Sequence, residues 1–211
     1  MIQSTPITFA LPKGRLAEQA IEILEQCGID CAPLKLETRK LVLSDGVGKF
    51  RFIFVKPADV PTYVERGAAD LGVVGKDTLL EENKDVYEPL DLKFGACRMC
   101  VAGFPGFSTA ELSRNLRVAT KYAAFARAYY QRKGIGVDII KLNGSVELGP
   151  VIGLSDVIVD IVESGKTLEA NGLCVLEEIC PISARLVVNK VSLKTKSADI
   201  LPLIEKIKGI V

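Results

Sequence analysis

At 211 residues and 48% hydrophobic content, the chain is long enough to bury a substantial core, as one domain or as two small lobes. A net charge of +1 with 6% aromatic residues and no Trp excludes nucleic-acid binding as the main task, because neither a basic stripe nor stacking platforms are present. No apolar run reaches membrane-spanning length, and Met1 to Pro6 lacks the basic start and apolar core of a signal peptide, so a soluble, cytoplasmic protein without a membrane partner is expected.

In chain order, Ile7 to Leu11 reads as a short strand ended by Pro12. Lys13-Gly14-Arg15 then leads into a helix with Leu16, Ala20, Ile23, Leu24 and Cys27 on one face, closed by Gly28. A glycine loop between a strand and a helix start gathers backbone N–H groups around an anion, and two built-in cations suit a guest more highly charged than one phosphate, such as pyrophosphate. A solvated helix cap would use the same residues. Lys40 to Ser44 and Lys49 to Lys56 alternate as strands around a turn at Asp45 to Gly48. Asp59-Val60-Pro61 opens a helix to Gly67 with Asp59 at its N-cap, Asp70 to Gly75 holds a fully apolar strand, and Asp77 caps Thr78 to Glu82. Apolar strands alternating with helices predict a parallel sheet covered on both faces.

From Val86 the pattern changes, and Leu90 to Phe104 runs extended toward the Pro105-Gly106 turn, as a strand crossing into a second lobe would. Leu116 to Thr120 is a strand, Ala123 to Lys133 a helix ended by Gly134, Val137 to Leu142 a strand, and Asn143 to Glu147 a loop. Leu173 to Val188 is extended again and returns the chain, leaving Ala198 to Lys208 as a last amphipathic helix. The expected architecture is an α/β clamshell of two lobes joined by two crossing strands. Lobe I would hold residues 1–92 and 184–211, lobe II residues 93–183, with the interlobe cleft as the default ligand site.

Six cysteines in a chain of this kind read as reduced packing or surface thiols. Cys97-Arg-Met-Cys100 spells C-x-x-C, but it lies in a predicted strand, and no second pair or histidine completes a zinc site. The absence of histidine also removes Ser-His-Asp and Cys-His schemes. Chemistry is left to Lys, Arg, Asp, Glu, backbone amides or a metal held by oxygen.

The most informative stretch is Ser155 to Gly172. Val157 to Val162, β-branched apart from Asp160, reads as a buried strand, Ser164-Gly165-Lys166-Thr167 as a tight hydroxylated loop, and Leu168-Glu169-Ala170 as a helix stopped at Asn171-Gly172. Loop amides and the Ser164 and Thr167 hydroxyls would converge on an anion of phosphate size. A Walker A loop shares the Gly-Lys-Thr tail but requires glycine where Asp160 stands. An acid at that place suits a sugar phosphate, its phosphate in the loop and its ring hydroxyls over the strand end. An ordinary strand-to-helix turn remains the plain alternative.

Val-Ile-Val-Asp160-Ile-Val-Glu163-Ser164-Gly165-Lys166-Thr167 resembles the phosphoribosyl-pyrophosphate loop of phosphoribosyltransferases, whose commonest form has a second acid where Val159 stands here. Leu11-Pro12-Lys13-Gly14-Arg15, the Gly67 to Asp77 segment, Arg117 to Tyr122, Gly144-Ser145-Val146-Glu147 and Thr167 to Gly172 follow in order, and together they are similar to the ATP phosphoribosyltransferase family over Ile7 to about Val188. That resemblance implies a fold like type II periplasmic binding proteins. It further implies the first step of histidine biosynthesis, in which ATP and phosphoribosyl pyrophosphate give phosphoribosyl-ATP and pyrophosphate with Mg²⁺ required. Lys13 and Arg15, flanking Gly14, would meet pyrophosphate or ATP phosphates, Asp160 and Glu163 the ribose hydroxyls, and Ser164, Gly165, Lys166 and Thr167 the 5-phosphate. Asp70, Gly75, Tyr122, Glu147 and Asp156 are expected among the substrate-binding residues. The chain ends after one short helix, like the short form of the family. That likeness implies a homodimer when alone, and a separate regulatory partner resembling histidyl-tRNA synthetase for full activity and for feedback inhibition by histidine. A cytosolic clamshell binder without catalysis and a P-loop phosphotransferase are the readings from other classes.

Overall fold

The structure, a computed structural model, describes residues 5–36, 39–109 and 113–211, so Met1 to Ser4 of the leader reading lie outside the described residues. The chain divides into two compact units, Met1–Gly95 with Ser183–Val211, and Ala96–Ile182.

The first unit is built on a sheet of six strands: β1 (Ile7–Pro12), β2 (Val42–Ser44), β3 (Phe50–Val55), β4 (Leu71–Gly75), β5 (Tyr87–Asp91) and β11 (Ala184–Val188), in the spatial order β2-β3-β1-β4-β11-β5. β1 runs parallel to β3 and β4, whereas β2 and β11 pair antiparallel with their neighbours. Alternation along the central strands sends Phe9, Leu11, Leu71 and Val73 to one face, where they meet Ile21 and Leu24 of helix α1 (Arg15–Gln26) and Ile200, Ile204 and Ile207 of helix α8 (Ser197–Lys208). Ala10, Val74 and Val187 face the other way, onto Val60 and Val64 of helix α2 (Val60–Glu65). Gly72 lets that helix lie close: a Cβ there would stand 2.8 Å from both Val60 Cγ1 and Val64 Cγ2. Both faces of the sheet are therefore covered, as the fully apolar strands require.

The second unit has five strands: β6 (Cys97–Gly103), β7 (Leu116–Thr120), β8 (Val137–Lys141), β9 (Val157–Val162) and β10 (Cys174–Ile182), in the order β10-β6-β9-β7-β8. β7 pairs parallel with β8 and β9, and β6 runs antiparallel to both β9 and β10. Helices α4 (Ala123–Arg132), α5 (Leu148–Val151) and α6 (Lys166–Ala170) complete it. Cys100, Ala102, Ala119, Ile158 and Val162 share a buried cluster with Leu168 of α6 and Leu173.

Several expectations are displaced. The two long extended segments are each two strands belonging to different sheets, β5 then β6 and β10 then β11, because the chain changes unit inside each. Asp59 stands at the N-cap position of α2 as expected, but its side chain makes no capping hydrogen bond there, and a 3₁₀ turn over Pro57–Asp59 precedes the helix. Helix α3 (Lys76–Glu82) starts one residue before Asp77, with Gly75 at the N-cap position. Helix α7 (Lys190–Thr195) and α5 are too short to show a helical period.

Asn189 ties α7 to the sheet region. Its side-chain oxygen accepts from the Val191 and Ser192 N–H groups at 2.9 and 2.8 Å, while its amide nitrogen donates to Val64 O and Glu65 O at 2.7 and 3.1 Å. Asn189→Ala removes all four of these bonds at a buried position, though Val64 O keeps the Gly67 N–H, and is expected to cost about 2–3 kcal/mol in urea denaturation, against the ~0.5 kcal/mol or less of a surface change.

Candidate active site

In open α/β sheets, ligands collect at the carboxyl ends of parallel strands, where neighbouring connections leave in opposite directions. In the second unit β7 leads through α4 to β8 on one side, while β9 leads through α6 to β10 on the other. The connections part between β7 and β9. Thr120, fully buried at the end of β7, donates from Oγ1 to Val159 O at 2.6 Å and accepts from the Tyr122 N–H at 2.9 Å, fixing the two strand ends together.

β9 overhangs that point by three residues and delivers Glu163, Ser164, Gly165, Lys166 and Thr167. Gly165 takes the left-handed conformation, φ 80°, which turns the chain sharply into α6. No side chain caps α6, and the first N–H groups of a helix lack intrahelical partners, so the loop presents donors outward. The Lys166 N–H lies 3.5 Å from Ser164 Oγ; Ser164, Lys166 and Thr167 are exposed. Asp160 sits at the base of the overhang, with its carboxylate accepting from the Ile161 N–H at 2.9 Å. These residues come together as expected.

The other acids have different work. Asp156 receives two donors on each oxygen: Arg114 Nη1 and the Arg117 N–H on one, Arg114 Nη2 and Arg117 Nη2 on the other, all within 2.7–2.9 Å. The Arg114 guanidinium foremost, with Arg117, holds this carboxyl far below the ordinary carboxylate range. Asp70 is buried and accepts from the Thr8 N–H, Ser192 Oγ and Lys196 Nζ, binding β1 to α7 and its C-terminal neighbour. Both acids, expected among the ligand contacts, are instead held inside structural networks. The Asp77 carboxylate folds over Gly75, its Oδ1 standing 2.1 Å from where a Cβ would lie. Tyr122 is 3% exposed and packs rather than presenting its ring, and Glu147 is half-buried at the N-cap position of α5.

The first unit repeats the sheet-edge arrangement. β1 leads toward β3 and β4 away from it, so connections part between β1 and β4, and β1 hands over to Lys13, Gly14 and Arg15, all exposed. Gly14 has φ 95° and precedes α1 without a side-chain cap. Beside it lies a pocket of about 600 Å³, in which Lys13, Arg39 and Lys40 are combined with apolar Ala17, Ile21, Leu34, Leu41, Leu43 and Phe54. Sequence reasoning missed Arg39 and Phe54 as site residues. No sequence signal marked them, because α1, β3 and the segment around Leu41 are brought together only by the fold; Leu36, Leu41 and Val42 stay exposed there.

None of the six cysteines is in a disulfide; burial pushes the Cys31 thiol to about 11 and raises Cys27 and Cys100, which keeps these three protonated and unreactive. Among the described residues no group of three His, Cys, Asp or Glu side chains could hold a metal ion, and no helix is long and apolar enough to cross a membrane.

Comparison with known proteins adds four findings. A family model for ATP phosphoribosyltransferase (HisG) matches residues 56–209. The ATP phosphoribosyltransferase of Caldanaerobacter subterraneus subsp. tengcongensis is 56% identical over 205 residues, spanning 97% of each chain. Among solved structures, a chain of the ATP phosphoribosyl transferase (HisG:HisZ) complex from Thermotoga maritima superposes with TM-score 0.84 at 38% identity over 97% of each chain. The periplasmic aliphatic sulphonate binding protein SsuA of Escherichia coli, at 12% identity and TM-score 0.59 over 97% of this chain and 72% of its own, shares the fold alone, that of type II periplasmic binding proteins.

The Asp156 network predicts an acid signature. A depressed folded-state pKa contributes stability that is complete above the unfolded value of about 3.9 and is lost as the pH falls below it. In urea titrations from pH 7 down to pH 3, the stability gap between the natural protein and Asp156→Asn should narrow below about pH 4; a constant gap would mean that the carboxylate's charge contributes nothing.

Proposed function

The chain belongs to the ATP phosphoribosyltransferase family, which opens histidine biosynthesis by joining ATP to phosphoribosyl pyrophosphate, and we propose how its own residues carry that reaction. The Ser164-Gly165-Lys166-Thr167 loop grips the 5-phosphate through amides and hydroxyls, and Asp160 with Glu163 accepts hydrogen bonds from the ribose hydroxyls. The observation that carries this is β9 overhanging its neighbour at the parting of the connections and ending in an uncapped, left-handed glycine turn. ATP takes the pocket beside Lys13, its base among apolar side chains and its phosphates toward the cations. Lys13 and Arg15, with the Gly14 amide, meet the ATP phosphates or the departing pyrophosphate. Asp70 and Asp156 act on the ligands through the backbone they hold, and Gly75, Tyr122 and Glu147 stay on the substrate side as residues lining the ATP end.

In the reaction N1 of adenine attacks C1 of the pentose, the C1–O bond breaks, and its electron pair leaves with pyrophosphate. Positive charge grows at the sugar while negative charge grows on the leaving group, so fixed cations lower the barrier more than a proton acceptor would. Mg²⁺, when bound, neutralises phosphate charge. The donor set suits an ion carried on substrate phosphates with one or two carboxylates, for which Asp160 and Glu163 are the chain's own candidates.

We read the protein as cytoplasmic, a homodimer when alone, and fully active with a regulatory subunit resembling histidyl-tRNA synthetase. The Thermotoga maritima relative being part of a HisG:HisZ complex supports the second subunit.

Incubation with ATP, phosphoribosyl pyrophosphate and Mg²⁺, with the partner supplied, should release pyrophosphate without forming ADP; ADP would indicate phosphoryl transfer instead. Lys13→Ala should reduce kcat by about a hundredfold with a much smaller change in KM, as expected of a group that acts on charge developing in the transition state. Equal loss in both would reassign Lys13 to substrate binding.

A further inference from the structure

Lys121 follows directly on β7, on the opposite side of the β7–β9 parting from the loop at the end of β9. The parallel register aligns Thr120 with Val159, which sets Lys121 level with Asp160, one strand away, or about 5 Å. The Thr120 hydroxyl bridge fixes that register. Lys121 is exposed, and among the described residues it pairs with no carboxylate; its Nζ lies 5.8 Å from the ring centroid of Tyr122, a side chain buried beneath it. An ammonium at this level, held to no acid although Asp160 is beside it in register, is available to a further anion.

Resting on the reading that residues 163–167 hold the 5-phosphate and Asp160 the ribose hydroxyls, we propose that Lys121 binds the pyrophosphate on C1 of the same sugar. The overhang of β9 beyond Val159 rises about 10 Å over three residues. A pentose laid along it, with its 5-phosphate at the top and its hydroxyls at Asp160, turns C1 toward the β7 side. Lys121 is the first cation there. Lys141 makes the natural control: it is also exposed at the carboxyl edge, level with Thr120, but it ends β8 on the far side of β7 from the loop.

The test measures binding of phosphoribosyl pyrophosphate, ribose 5-phosphate and inorganic pyrophosphate to the full chain with Mg²⁺, by calorimetry and by competition. Lys121→Gln should weaken phosphoribosyl pyrophosphate and pyrophosphate by about tenfold, the loss of one charge-assisted contact, and leave ribose 5-phosphate unchanged. Lys121→Arg should retain most of the affinity, and Lys141→Gln should match the natural protein. Equal weakening of ribose 5-phosphate, or no change for phosphoribosyl pyrophosphate, overturns the assignment, as does an equal effect of Lys141→Gln. Thr167→Val reports on the underlying reading separately: it should weaken both sugar phosphates. If it weakens neither, the loop assignment fails, whatever Lys121 does. Circular dichroism and unfolding midpoints show whether each variant is folded.

Discussion

The arrangement depends on one constraint of parallel sheets: where two adjacent strands send their connections in opposite directions, nothing of the chain itself covers their carboxyl ends. Each unit has such a place, between β1 and β4 and between β7 and β9, and a glycine-containing loop stands at each. In the second unit the gap is kept firm by β9 lying between β6 and β7, with Thr120 Oγ1 bonded across to Val159 O. A strand held on both sides can project three further residues without fraying. The 163–167 loop is therefore carried on a rigid support even though most of its residues are exposed and its helix has only five residues.

The same edges explain why aspartates with similar sequence settings do different things. Asp70 precedes β4 and Asp156 precedes β9, so both lie at the amino ends of their strands, where Thr8, Arg117 and the C-terminal helices supply donors. Asp160 lies inside β9 near its carboxyl end, where the neighbour β7 has stopped and the sheet opens. Position along the strand, more than residue type, separates acids that hold the fold from an acid that stands at the open edge of the sheet. Burial at the amino ends also demands full pairing, because a buried carboxylate without donors is costly. Asp156 with two arginines and Asp70 with Lys196 satisfy that demand.

Much of this was legible in the residues. The strand Val157–Val162, its stop at Glu163 and the helix ended at Asn171-Gly172 follow from β-branching, the glycine turn and helix stop signals, and the structure has them at those positions. The unit changes inside 90–104 and 173–188 were legible only as long extended segments. Extended backbone has the same two-residue period in either sheet, and the sequence carries no mark of which partner strand it joins. The helices α5 and α7, of four and six residues, span less than two turns and show no apolar period. The donors that occupy Asp70 and Asp156 come from residues 62 to 126 positions and 39 to 42 positions away, so only the fold brings them in. The pocket beside Lys13 has the same origin, since α1, β3 and the segment around Leu41 meet only after folding.

The chemistry completes the account of the composition. Both partners of bond formation, the adenine nitrogen and the sugar carbon, arrive on substrates, so the chain needs no nucleophile of its own and can do without histidine. Cys27, Cys31 and Cys100 can stay buried and protonated, because nothing in the reaction calls for a thiolate. What the reaction does require is fixed positive charge where the leaving group gains electrons, combined with donors that hold the sugar still. Flexible lysines can supply this only if their stems start from fixed points. Lys13 begins where β1 ends, its N–H bonded to Val55 O, and Lys121 begins at Thr120, whose hydroxyl is bonded into β9. Placing cations one residue beyond a strand end gives each a rigid origin and an open surface to act on.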